Sequence, residues 1–146
     1  MEGIRSGCAA MIMLDSTACI DFLNGYVKVK EKIDALDSLY CITTVSVYEV
    51  SIGLERTKRL KSRARYQELN EAWLRLLSSL QVFDLDVKAA GKAAEINDEL
   101  EAKGNRVDDN DVLIMGIMKS KGMEKMPTRN PDHFKAVPGI IVHEYK

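Results

Sequence analysis

Three acidic residues, Asp15, Glu49 and Asp111, each stand where an apolar run meets a turn or a helix start. Asp15 ends the run MIML, Glu49 lies within TTVSVYEVSIGL, and Asp111 opens DVLIMGIM. Carboxylates that are far apart in sequence but each anchored to a core element can converge at one edge of a sheet, where their mutual repulsion is unfavourable without a cation. Residue type and placement therefore outline a divalent-metal site. Each acid also suits a plainer job. Asp15 and Asp111 are good helix N-cap or first-turn residues, and Ser46 with Glu49 fits the S-x-x-E capping box. Capping does not explain why Glu49 is embedded in so apolar a helix start, nor why all three acids fall at the functional edge of one sheet.

The elements that must position these acids alternate between short apolar runs and helical stretches. MIML at 11–14 predicts a buried strand, with Ser16 and Thr17 as an N-cap for a helix through CIDFLNG that stops near Gly25. VKEKIDAL predicts a second helix, YCITTVSV a strand in its front half, and the helix carrying Glu49 begins between Thr44 and Ser46. In YQELNEAWLRLLSSL, Leu69, Trp73, Leu76, Leu77 and Leu80 recur at helical spacing, a stripe that should face the core. QVFDLD supplies a third strand, and VKAAGKAAEINDELEAKG is a two-faced helix ending near Gly104. DVLIMGIMKSKG is apolar nearly all round, as a helix buried against a sheet should be, and Gly122 ends it. A weak strand near Met126 to Thr128 and a clearer one in GIIVHEY close the chain.

Strands alternating with helices imply a parallel sheet covered on both faces, with ligands beyond the C-terminal strand ends. The expected architecture is an α/β/α sandwich around a mostly parallel sheet of four or five strands. Asp15, Asp111 and Glu49 then all face one cleft.

At 146 residues and 46% hydrophobic content the chain suits one domain over 11–146. The first ten residues carry no strand or helix pattern and are expected to be a disordered leader, with Met11 or Met13 as alternative native starts. A formal net charge of −1 and a pI near 6.1 argue against coating nucleic acid by bulk charge but leave room for a local basic patch. RTKRLKSRAR is such a patch, holding Arg56, Lys58, Arg59, Lys61, Arg63 and Arg65 with no acid among them. It is either an RNA-phosphate or acidic-partner contact or a solvated helix face. Cys8, Cys19 and Cys41 include no C-x-x-C pair, so reduced thiols in a cytoplasm are the simplest expectation. There is no signal-peptide core and no apolar stretch of membrane-spanning length.

Four segments in order resemble the PIN-domain ribonucleases. IMLDSTACIDFL resembles their first motif, TTVSVYEVSIGL with Gly53 at the usual spacing after Glu49 the second, DVLIMGIMKSKG the third and TRNPDHFKAVPGIIV the closing motif. Within that superfamily the chain is most similar to the VapC toxins of toxin-antitoxin pairs. The resemblance covers residue 11 to the end. It implies Asp15, Glu49 and Asp111 as catalytic acids that bind Mg²⁺ or Mn²⁺, with Ser16 or Thr17 and Thr128 as polar support. It also implies an RNA substrate, a VapB-like antitoxin whose tail crosses the cleft, and a homodimer, with which an apolar, Met-rich surface is compatible.

One departure concerns the closing motif, where many relatives have a fourth Asp and this chain has Asn130. An amide oxygen can still ligate a hard cation but brings no charge, so a second ion would be held more weakly. Asp132 and Asp109 are the substitutes within reach, and Asp108 also crowds the third motif.

Phosphodiester hydrolysis by in-line attack of water needs no nucleophilic side chain when a divalent cation is present. The chain shows no G-x-S-x-G, no phosphate-cradling Gly-rich loop and no H-E-x-x-H. Its two histidines, His133 and His143, fall late and are expected to be structural. By analogy the products are a 5'-phosphate and a 3'-hydroxyl. The rival reading is a PIN-like fold retained as a catalytically weak or inactive RNA-binding or regulatory module, which Asn130 favours and the three acids oppose. A phosphoryl-transfer receiver or a haloacid-dehalogenase-type phosphatase also uses an Asp after strand one. The latter needs a second Asp two residues on, where this chain has Thr17.

Overall fold

The structure, a computed structural model, describes residues 10–36 and 38–146. The expected leader lies outside them apart from Ala10, as does Cys8. The described strands are β1 (Ile12–Met13), β2 (Tyr40–Thr43), β3 (Gln81–Phe83), β4 (Lys125–Thr128) and β5 (Ile141–Glu144). They form one sheet in the order β3-β2-β1-β4-β5, with every neighbouring pair parallel. The helices are α1 (Ser16–Leu23), α2 (Val27–Leu36), α3 (Thr44–Leu60), α4 (Arg63–Ser78), α5 (Val87–Ala102), α6 (Asp109–Lys121) and the single turn α7 (Asp132–Lys135). The strand expected over 11–14 is shorter than the apolar run. Its pairing nevertheless extends beyond it, through Ile12 N–H to Leu39 O at 2.8 Å and Leu14 N–H to Cys41 O at 2.9 Å.

The two-residue period of a strand sends alternate side chains to opposite faces, and both faces here are covered. Met13 and Cys41 join a core built with α5 and α6, while Leu14 and Ile42 join a second built with α1 to α4, centred on Trp73. That is a three-layer α/β/α sandwich. Trp73 is buried as expected, with Leu69, Leu76, Leu77 and Leu80 partly buried beside it.

The methionines correct one expectation. Met11, Met13, Met115, Met118, Met123 and Met126 are all in the core, so no Met-rich surface exists among the described residues. The exposed large apolar side chains include Tyr48, Leu60, Leu74 and Val87 instead. Helix α6 is buried at Val112, Ile114, Met115, Gly116, Ile117 and Met118, and ends at Gly122, whose φ of 72° is the left-handed C-cap conformation that glycine adopts without strain.

The chain builds outward from β1 to β2 and β3 on one side, then returns to place β4 and β5 on the other. The order therefore reverses between β1 and β4, and in open parallel sheets the crevice outside such a switch point is where ligands bind. Asp15 lies two residues past the end of β1, and Thr128 is the last residue of β4.

Candidate active site

Asp15 is the N-cap of α1, with extended backbone and its Oδ1 accepting the Ala18 N–H at 2.8 Å. Its other oxygen, Oδ2, accepts from the Thr128 hydroxyl at 2.7 Å, across the switch point. Capping α1 and bonding across the switch point thus coexist in one residue. Asp15 is 2% exposed. Burial pushes its pKa up to about 6, against the hydrogen bonds from Ala18 and Thr128 and aided by repulsion from Asp111 and Asp21.

Glu49 stands on α3, whose N-cap is Thr43, the acceptor of the Ser46 N–H at 3.1 Å. The Ser46–Glu49 capping box is therefore not formed. Glu49 Oε1 instead accepts from the Ser16 hydroxyl at 2.5 Å, and Ser16 also reaches Ser46 Oγ at 3.1 Å. Ser16 thereby links the Asp15 turn to the Glu49 helix.

Asp111 sits within the first turn of α6 rather than opening it, since the helix starts at Asp109 after the N-cap Asp108. The acid lies in the field of the helix N-terminus, and its Oδ2 lies 2.6 Å from His133 Nδ1. Burial raises its pKa, opposed by the hydrogen bond and charge of His133 and reinforced by Asp108 and Glu49. His133, expected to be structural, is the contact of Asp111 that the sequence did not reveal. Its nearness to Asp111 spans 22 residues and two elements, and only its place beside the aromatic of the closing motif hinted at it.

The remaining candidates divide. Thr128 is fully buried and shared, donating to Asp15 and accepting the Asn130 N–H at 3.0 Å. The Asn130 side-chain amide donates to Thr17 Oγ1 at 3.3 Å, which puts Thr17 on the loop side of the cleft. Asp109 and Asp132 are exposed in the first turns of α6 and α7. The basic run does not form one helix face. It spans the end of α3, the turn at Lys61 and Ser62, and the start of α4. Eleven residues separate Glu49 from the end of α3 at Leu60, about 16 Å along the helix axis. Lys58 and Arg65 pair with Glu55 and Glu68. Lys61 and Arg65 rim an apolar cavity of about 190 Å³ lined by Leu23, Val50, Leu54 and Leu69.

Among the described residues, no three His, Cys, Asp or Glu side chains stand together as a ready metal-ligating group. Each acid of the three is turned to a protein partner. Glu49 Oε2 and Asp111 Oδ1 accept no hydrogen bond from the described residues, and the charged groups acting on Asp15 are themselves acids. A set of carboxylates with excess negative charge, Asp15 buried and Glu49 and Asp111 half-buried, fits a hard divalent cation such as Mg²⁺ or Mn²⁺.

A carboxyl whose pKa is higher folded than unfolded stabilises the fold below its unfolded value and loses that contribution as pH rises through the folded value. For Asp15 the window runs from 3.8 to about 6, and Asp111 shifts in the same direction. In EDTA the thermal midpoint should therefore fall between pH 5 and pH 7.5, and Mg²⁺ should restore more at pH 7.5 than at pH 5. His143, whose pKa burial lowers with help from Lys32 and Lys125, works in the opposite sense. Comparison with Asp15→Asn at each pH cancels its contribution. A midpoint difference between the two proteins that does not change with pH would contradict the assignment.

The sequence profile of the PIN domain matches residues 12–140. The chain belongs to the PIN domain family. It is 28% identical over 134 residues to the tRNA(fMet)-specific endonuclease VapC of Salmonella typhimurium, an alignment covering 91% of this chain and 96% of that protein. The DNA-bound VapBC structure from Salmonella typhimurium matches with a TM-score of 0.75 at 30% identity over 92% of this chain and 97% of that one. VapBC2 from Rickettsia felis, bound to a DNA fragment from its promoter, matches with a TM-score of 0.77 at 22% identity over 93% of this chain and 99% of that one. The last likeness carries the fold alone. No helix among the described residues is long and apolar enough to cross a membrane.

Proposed function

We propose that this PIN domain is a divalent-metal-dependent endoribonuclease, the toxin of a VapBC-type pair, held in check by a VapB-like antitoxin in the cytoplasm. The observation that carries the reading is Asp15: a buried carboxylate at the sheet's switch point, bonded to Thr128 across it and repelled by Asp111. Asp15, Glu49 and Asp111 would hold Mg²⁺ or Mn²⁺, and such an ion supplies activation of water and neutralisation of charge developing on phosphate.

The chain's own residues set up that chemistry. Thr128 and the Ala18 N–H fix both oxygens of Asp15, leaving each oxygen a further acceptor direction. Ser16 aims Glu49, and His133 aims Asp111. Asn130 occupies the place of a fourth acid without its charge, so a second ion would be held less firmly. Because ligand-orienting partners commonly affect metal affinity by 10–100-fold, His133→Ala should weaken Mn²⁺ binding or cleavage by about that factor. Unchanged values for both would return His133 to a purely structural part.

The Salmonella relatives bear on substrate and partner. One is named for cleavage of tRNA(fMet), so initiator tRNA is the first RNA to present to this protein. Another is a VapBC complex. An antitoxin segment with apolar and acidic side chains would suit the cavity rimmed by Lys61 and Arg65. The basic run from Arg56 to Arg65 is proposed as a contact for that segment or for RNA leaving the cleft. Exposed Tyr48 and Val87 give apolar surface for the proposed homodimer.

The test is cleavage of a mixed RNA pool by purified, antitoxin-free protein with Mg²⁺ or Mn²⁺, with and without EDTA. Cutting that EDTA abolishes supports the nuclease. Folded protein that binds RNA but cuts none with either ion favours the second reading, an inactive RNA-binding module, for which the neutral Asn130 amide bonded to Thr17 speaks.

A further inference from the structure

A polyanionic substrate must meet a cation close to the cleft, yet the charges gathered at the switch point are acids, and the basic run begins at Arg56, about 10 Å down α3 from Glu49, and extends away from it. Arg129 is different. It follows Thr128, the donor to Asp15, and precedes Asn130, which bonds back to Thr128 through its N–H and to Thr17 through its amide. Its guanidinium Nη2 lies 3.1 Å from Asp21 Oδ1, and the group sits over the Tyr26 ring at 5.5 Å. Asp21 in turn accepts from the Tyr145 hydroxyl at 2.8 Å.

The two ends of this ion pair have different surroundings. The Asp21 side chain is 8% exposed and that of Arg129 47%. A guanidinium carries five donors in a rigid fork, so a tether to one buried carboxylate oxygen fixes its direction and leaves donors facing solvent. Asp21 is six residues beyond Asp15, about 9 Å along α1. The charged groups acting most on Asp15 are the acids Asp111 and Asp21. Arg129 is therefore a pre-aimed cation on the rim of the cleft, outside the group of acids.

We propose that Arg129 binds the RNA phosphate flanking the scissile bond, its guanidinium pre-oriented by Asp21, Tyr26 and Tyr145. The inference rests on the ribonuclease reading above. A planar fork held in place is the form of cation best matched to phosphate oxygens, and contacts of this kind set substrate register without reading sequence.

The test uses the full chain. Binding of a short single-stranded RNA is followed by fluorescence anisotropy over a range of KCl in the Asp15→Asn background, and cleavage is measured without that substitution. Arg129→Gln should weaken binding about tenfold, make the slope of log K against log salt shallower by about 0.7, and raise KM far more than it lowers kcat. Arg129→Lys should recover the slope but not the full affinity. Arg75→Gln, a charge removed from α4 away from the cleft, should leave both as they were. Since Arg129→Gln strands Asp21, the double variant Asp21→Asn/Arg129→Gln, which buries no unpaired charge, decides if the single variant unfolds. A wild-type salt slope and KM in a folded Arg129→Gln or double variant would overturn the inference while leaving the nuclease intact. Wild-type protein that neither binds nor cuts RNA would remove both.

Discussion

Asp15→Asn should abolish RNA cleavage by about a thousandfold or more while raising the thermal midpoint of the metal-free protein. The two effects have one cause. Asp15 is held at 2% exposure among acids, with its pKa pushed up to about 6 by burial, so at pH 7.5 the metal-free fold carries an ionised group it would rather protonate. The amide oxygen still accepts the Ala18 N–H, while its NH₂ meets Thr128 Oγ1 in a bond of reversed direction that obliges the Thr128 hydroxyl proton to turn away, a cost smaller than the gain from removing the charge. A gain on the order of 2 kcal/mol follows, or roughly 4–8 °C in the midpoint. Loss of one charged ligand removes several kcal/mol of charge stabilisation at the phosphate, and each 1.36 kcal/mol is about a factor of ten in rate. Thermal scans in EDTA beside cleavage assays check both halves. A variant that loses stability together with activity would mean that Asp15 matters here chiefly as a helix cap.

Gly116→Ala should unsettle the fold and displace the helix that carries Asp111. A Cβ at Gly116 would lie 2.6 Å from Ala89 O, 2.6 Å from Ala93 Cβ and 2.8 Å from Ala93 N. Helix propensity alone favours Ala over Gly by about 1 kcal/mol. Two of the three obstructing atoms belong to the α5 backbone, which cannot swing aside, so overpacking of about 3 kcal/mol prevails by about 2 kcal/mol. The expected fall in midpoint is roughly 4–8 °C, with weaker divalent-ion binding because Asp111 moves with α6. Calorimetry and a metal titration on the same sample measure the two. An unchanged midpoint would mean that α5 and α6 separate at no cost.

The order of elements was legible because local patterns specify it. The apolar runs at MIML and YCITTVSV, the stripe through Trp73 and the apolar helix after Asp111 all fold as their periodicity predicts. The three acids stand near the elements expected to carry them, Asp15 just past β1, Glu49 in the helix after β2 and Asp111 in the first turn of α6. What could not be read is whatever depends on pairing across the fold. The Ser46–Glu49 spacing matched a capping box, but Thr43 caps the helix and frees Glu49 for Ser16, a partner 33 residues away. His133 meets Asp111, and Tyr145 meets Asp21 across 124 residues, through tertiary packing that no local spacing encodes. The methionines, read as compatible with a surface, went inside because their flexible side chains fill the gaps between the sheet and α6. The basic run looked continuous in sequence, yet Ser62 caps a new helix in its middle and splits it between two.

Titration of Mn²⁺ into the metal-free protein, followed by the electron paramagnetic resonance signal of the free ion, tests most directly whether Asp15, Glu49 and Asp111 form one cation site. Saturable binding at pH 7.5 that is lost in each of Asp15→Asn, Glu49→Gln and Asp111→Asn, and that weakens as pH falls through about 6, is the result expected. Binding that survives all three substitutions, or RNA cleavage that persists in EDTA with no Mn²⁺ bound, would contradict it.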